Sequence, residues 1–226
     1  MACITKVLSS MTTDPAEKVT HFFNTYPQRT FSKGELLMRP QEPLPGVFWV
    51  AEGRVNEYDV TPSGNEVVIN VFKPGAFFPM SNVLNDVLNM YFFEAATDVK
   101  THIAPSTAAV QFLQENPDIT LDLLRRVYRG TDGLLRRMAH LMGGDAKHRL
   151  VFEIVNTGYR FGELQEDGSL HLAFSESELG RLSGLTRETV SRTLKTLKAA
   201  GLLKVTRRGI SVTNMQRLEA LLGDAV

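Results

Sequence analysis

Residues 174–212, FSESELGRLSGLTRETVSRTLKTLKAAGLLKVTRRGISV, constrain this chain more than any other stretch. Ser175 is a strong helix N-cap, and Glu178 three positions later completes a capping box. A first helix is predicted over 176–183, burying Leu179 and Leu182. Gly184 then makes the turn and Leu185 fills the space between helices. Thr186 caps a second helix over about 187–200, whose inner face is Val190, Leu194 and Leu197. Gly201 ends it. Residues 202–206, a turn at 207–209 and residues 210–213 read as a basic hairpin. Helix, tight turn, helix and hairpin in this order make a winged helix-turn-helix.

The outward, N-terminal face of the second helix carries Arg187, Glu188, Ser191 and Arg192. A helix entering the major groove of DNA reads base edges with its N-terminal residues. Arginine bonds guanine in bidentate fashion, and glutamate accepts from cytosine N4. Ser175, Thr186, Thr189, Lys195, Arg207 and Arg208 flank this face and are expected on phosphates. Net charge supports the reading only locally. The whole chain is neutral, yet residues 175–212 hold eight basic side chains against three acidic ones. Cys3 is the only cysteine, which excludes an intrachain disulfide or a cysteine-ligated cluster. No metal site, cofactor or catalytic activity is expected. No signal peptide or membrane span is legible, so a cytoplasmic protein is expected.

Upstream, residues 1 to about 15 carry no pattern and read as an arm, followed by a short helix over 15–23 with Asp14 as N-cap. From 28 to about 103 the pattern is one of short strands: 31–39, 46–51, 54–60, 66–72, 91–96 and 99–103. They are rich in β-branched and aromatic residues and are divided by Pro-Gly and Glu-Gly breaks, as in a small antiparallel roll. Residues 82–90 are ambiguous and can form a short helix. A helix over 105–116 precedes a longer one beginning at Pro117-Asp118. On it Leu121, Leu124, Tyr128, Thr131, Leu135, Met138 and Met142 alternate at spacings of three and four. That is an a/d seam, suited either to the roll or to a second chain; its length favours the second chain. Gly143-Gly144-Asp145 breaks the helix and reads as a flexible hinge before a helix over 146–160.

The order of roll, long helix, hinge and winged reader resembles the Crp–Fnr family of bacterial transcription regulators. The resemblance covers about residues 28–213. It is carried by LTRETVSRTLKTLKAAGLL at 185–203, FSKGELLMRP at 31–40, AEGRV with Gly53, KPGAFF at 73–78 and NPDITLDLL at 116–124. It implies an α+β architecture: an N-terminal cyclic-nucleotide-binding-like β-roll (1–116), a dimerisation helix (117–143) and a C-terminal winged helix-turn-helix (144–226). It also implies a homodimer on palindromic double-stranded DNA that works with RNA polymerase. The family's groove-reading residues fall on Arg187, Glu188 and Arg192, with Ser191 matching the Fnr branch.

The resemblance implies a departure as well. Cyclic-nucleotide members have Gly-Glu-Leu and then an Arg-Ser/Thr pair after the Pro-Gly turn. Here Phe77, Phe78, Pro79 and Met80 stand there, and no arginine occurs between Arg54 and Arg125. Leu134 and Leu135 replace the family's Thr-Ser pair on the long helix. A divergent sensor without the cassette, not dependent on cyclic AMP, is therefore expected. Phe77, Phe78, Met80, Tyr91, Phe93 and Leu134 either line a pocket for an apolar effector or fill it. A haem sensor is disfavoured because His21, His102, His140, His148 and His171 lack motif spacing. The rival function is a small-molecule-sensing module, for an apolar effector or haem, with vestigial DNA binding.

Overall fold

The structure is a computed structural model, and residues 14–223 are described. The expected N-terminal arm, with Cys3, lies almost wholly outside them. The chain divides into two compact units, one of residues up to 59 with 69–128, the other of residues 60–68 with 129 onward.

In the first unit, helix α1 (Pro15–Asn24) starts where the Asp14 carboxylate accepts the Ala16 N–H. Eight strands follow: β1 (Gln28–Phe31), β2 (Leu36–Met38), β3 (Val47–Glu52), β4 (Val55–Val60), β5 (Glu66–Phe72), β6 (Phe77–Phe78), β7 (Phe92–Ala95) and β8 (Val99–Ala104), of which the end of β4 at Val60 and the start of β5 through Val68 belong to the second unit. Helix α2 (Met80–Asn85) lies between β6 and β7, and α3 (Ser106–Glu115) follows β8. One sheet has the order β1-β8-β3-β6 and the other β2-β7-β4-β5. The strand expected over 31–39 is divided between them. Gly34, at φ 87°, donates its N–H to the Ala95 carbonyl and carries the chain from one sheet to the other. The helix expected over 82–90 starts two residues earlier and stops at Asp86, which sits in the left-handed region.

The run VFWV in β3 is buried on both faces. Phe48 and Val50 point into the roll, among Met38, Val55, Phe78, Phe93 and Val99. Val47 and Trp49 point outward, against Val19 and Phe23 of α1 and Leu113 of α3. Phe78 lies within 5.5 Å, centroid to centroid, of Phe48, Phe72 and Phe93, all near-parallel.

Glu57 lies directly opposite Phe93 in the register of β4 and β7, on the face that carries Val55 and Ala95 into the roll. Burial there pushes its carboxyl up to about 7. A folded value above the unfolded one means stability is complete below the unfolded value and is lost as pH rises through about 7. Glu57→Gln is therefore expected to stabilise the fold above pH 7, by up to about 3 kcal/mol at pH 9. Urea midpoints followed from pH 5 to 9 read this directly; parallel profiles for the two proteins would refute it.

Helix α4 (Pro117–Gly143) has 27 residues, about 40 Å of helix, yet Ile119 alone among them is buried. In the second unit the Asp145 carboxylate accepts the His148 N–H at 2.7 Å and starts α5 (Ala146–Phe161). Strands β9 (Glu163–Leu164) and β10 (Leu170–Leu172) are followed by α6 (Glu176–Ser183), α7 (Arg187–Ala199), β11 (Leu203–Thr206), β12 (Gly209–Val212) and α8 (Met215–Glu219). The sheet order is β11-β12-β10-β9. Leu150 and Ile154 of α5, Leu179 of α6, Leu194 and Leu197 of α7, Leu172, Ile210 and Leu218 form its interior. No helix among the described residues is long and apolar enough to cross a membrane.

The two glycines at the break between α4 and α5 differ. A Cβ on Gly143 would meet open space, but one on Gly144 would lie 2.7 Å from the His140 carbonyl oxygen and closer still to the His148 ring. Those two imidazoles share a hydrogen bond of 2.8 Å between His140 Nδ1 and His148 Nε2, and Phe152 stacks on His140 at 4.2 Å. Desolvation, then the neighbouring His148 and Arg136, hold His140 below the usual histidine value. Gly144 thus serves close packing as well as the turn.

Candidate nucleic-acid interface

The reader forms by local chemistry. Ser175 Oγ accepts the Glu178 N–H at 3.2 Å, and the Glu178 carboxylate accepts the Ser175 N–H at 2.7 Å. This is the capping box legible in the sequence. At the other end of α6, Gly184 takes φ 64° and gives its N–H to the Gly180 carbonyl. Leu185 is half-buried rather than a full core residue. Thr186 Oγ1 accepts the Thr189 N–H at 3.3 Å and starts α7. Val190, Leu194 and Leu197 are buried on one side of α7, at most 1% exposed. That orientation leaves Arg187, Glu188, Arg192 and Lys195 in solvent and Ser191 and Thr189 half-buried on the rim. Glu176, half-buried, approaches the exposed Arg187 at 3.7 Å, a long and solvent-screened contact that holds the arginine only weakly.

The wing is a two-residue hairpin, with Thr206 paired to Gly209 and Arg207 and Arg208 at its exposed tip. Gly209 is obligatory: at φ 138° a Cβ would overlap the Leu172 carbonyl oxygen. Of the six phosphate candidates, Ser175, Thr186, Lys195, Arg207 and Arg208 are exposed and Thr189 is half-buried.

Other features gave less sequence signal. Gly180, inside α6, would clash through a Cβ with the Leu185 carbonyl at 2.7 Å, so it permits the tight helix-to-helix approach. A glycine within a helical pattern was the available clue. Arg181 pairs with Glu66 at 2.9 Å, a partner more than a hundred positions away that no local pattern announces.

The seven seam positions of α4 are all exposed: Leu121, Leu124, Tyr128, Thr131, Leu135, Met138 and Met142. The effector candidates of the first unit divide between two hydrophobic clusters. Phe78 and Phe93 stack inside the roll, and Phe77 and Met80 pack with the α1 cluster. Tyr91 is 36% exposed, and Leu134, in the second unit, is 43% exposed.

A model of the Crp-like helix-turn-helix domain matches residues 148–221, and one of the cyclic nucleotide-binding domain matches residues 28–116. Between them they span most of the chain. It belongs to the Crp–Fnr family. The expectation of a divergent sensor, set apart by a missing cyclic-nucleotide cassette, is corrected by the second match, which runs through the whole segment in question. The domain is defined by its strands, turns and core rather than by the few side chains that meet a ligand.

The chain is 27% identical over 196 residues to the transcriptional regulator SdrP of Thermus thermophilus, covering 85% of this chain and 92% of SdrP. It is 26% identical to the global nitrogen regulator of a Synechocystis strain, covering 82% and 84%. Among solved structures, FixK2 of Bradyrhizobium japonicum superposes with a TM-score of 0.69 at 26% identity, covering 89% and 99%. The c-di-GMP-responsive regulator CLP of Xanthomonas campestris superposes at 0.76 with 20% identity, which bears on the fold alone. This Crp–Fnr protein is a sequence-specific DNA-binding transcription regulator.

Proposed function

We propose that the protein acts as a homodimer, paired along α4, that places two α7 helices in successive major grooves of a palindromic operator. The observation that carries this is the row of apolar side chains on α4 left in solvent, from Leu121 at 48% exposure to Met142 at 82%. Water contact over so long an apolar stripe is unfavourable, and a second copy presents the matching stripe. Two-fold symmetry in the protein then requires two-fold symmetry in the DNA, with half-sites about one helical turn apart.

Arg187 and Arg192 contact guanines, Glu188 a cytosine, and Ser191 the edge of the same half-site. Ser175, Thr186, Thr189, Lys195, Arg207 and Arg208 hold phosphates and fix the register. The working location is the bacterial cytoplasm. Control of transcription follows from contact with RNA polymerase or from occlusion of its site.

In vitro selection of bound DNA tests the reading, run with the protein alone, with cyclic AMP and with cell extract. A palindrome with half-sites one turn apart supports it. Enrichment of single half-sites, or of no sequence, overturns it. A change in affinity on adding cyclic AMP or extract shows whether the roll gates the reader.

A further inference from the structure

Arg137 is a largely shielded cation on α4 that reaches three other segments of the second unit. Its Nε donates to Glu153 Oε1 of α5 at 2.5 Å. The Nη2 atom donates to the Val68 carbonyl at 2.7 Å and to the Leu182 carbonyl at 2.5 Å. The Arg137 side chain is 11% exposed and that of Glu153 is 0% exposed, so the pair is shielded from water.

The place of each acceptor matters. Leu182 lies in the last turn of α6, where carbonyls lack a helical partner. Gly180, in the same turn, is served by the N–H groups of Gly184 and Leu185. Leu182 is served by Arg137 instead, one residue before Ser183 and two before the turn glycine that aims α7. Glu153 sits in the middle of α5, beside Ile154 of the interior. The planar guanidinium meets the carboxylate through Nε and the two carbonyls through Nη2, a spread of donors in fixed directions that the single nitrogen of an ammonium does not reproduce. Burial raises the Glu153 carboxyl, and the Arg137 charge opposes that rise. The ion pair therefore contributes little net stability compared with an apolar pair, and geometry is its main product.

We propose that Arg137 is a positioning residue that fixes the angle of the reading helix to α4, and so sets the half-site spacing the dimer accepts. It touches no DNA. It rests on the paired reading above, because spacing is defined only for two readers. Without the fork, the α6 end can settle at more than one angle to α4, and each angle suits a different spacer.

The test is selection from a library holding the enriched half-site as a palindrome with spacers of varied length, using the full-length protein. The wild type is expected to enrich one spacing. Arg137→Met with Glu153→Met replaces the ion pair by apolar groups, and Arg137→Lys keeps the charge for Glu153 but loses the fork. Both are expected to retain the half-site sequence, to accept two or more spacings, and to bind the wild-type spacing about tenfold or more weakly. A purely structural role would lower the melting temperature and leave the spacing unchanged. That outcome in either folded variant overturns the proposal; if the double variant does not fold, the lysine variant decides. No preferred spacing in the wild type defeats the paired reading itself, a distinguishable failure.

Discussion

Leu135→Glu together with Met138→Glu is expected to convert the protein to a monomer and to remove nearly all of its operator affinity. Both side chains are more than half exposed on the chain itself, at 58% and 55%, so neither supports the fold of its own subunit. In a dimer both would be buried in the C-terminal half of the seam, where four glutamates would face one another. Buried like charges are not tolerated without partners. Once pairing is lost, the second reader no longer benefits from being tethered to the first, and affinity falls by about 10²–10⁴-fold. Sedimentation equilibrium and operator binding measure the two effects. Thermal melting should show the second unit intact. A dimer that persists with unchanged operator affinity would place the interface elsewhere.

Arg192→Ala is expected to cost about 1–3 kcal/mol of discrimination at one base pair while changing binding to random DNA far less. The argument is geometric. Val190, Leu194 and Leu197 pin the opposite side of α7 to the interior, so Arg192 cannot turn away from solvent without unpacking the helix. Its role differs from that of the wing. Arg207→Ala or Arg208→Ala should weaken binding to all sequences about equally and lower the salt slope by about 1 each. Titrations on operator and random DNA at several salt concentrations separate the two kinds of contact. Equal losses on both DNAs for Arg192→Ala would reassign it to the phosphate backbone.

The reader was legible because its chemistry is local. Ser175 and Glu178 cap each other across three residues, Gly184 supplies a left-handed turn, and Thr186 caps the next helix within three. The apolar period of α7 then dictates which side faces out. The β-roll was legible as strands and breaks, but not in its pairing. One strand expected over 31–39 became two in different sheets, because the Gly34 N–H found the Ala95 carbonyl sixty residues away. Segment 75–99 departs from the cyclic-nucleotide pattern in a few side chains yet lies within the matched domain, because ligand side chains are few and the strand and turn pattern around them decides the domain.

Sequence alone determined the order of elements, the outward face of α7, the charged wing tip and the apolar stripe of α4, since each depends on neighbours within a turn or two. Tertiary structure alone decided which groups lost water and to whom they were bound. It placed Glu57, half-buried, opposite Phe93, closed His140 on His148 over a glycine, and joined Arg137 to Glu153, Val68 and Leu182. The physical reason is distance along the chain. A cap or a helical period is satisfied within about four residues, whereas the burial of a charge and the choice of its partner depend on segments that meet only once the chain has folded.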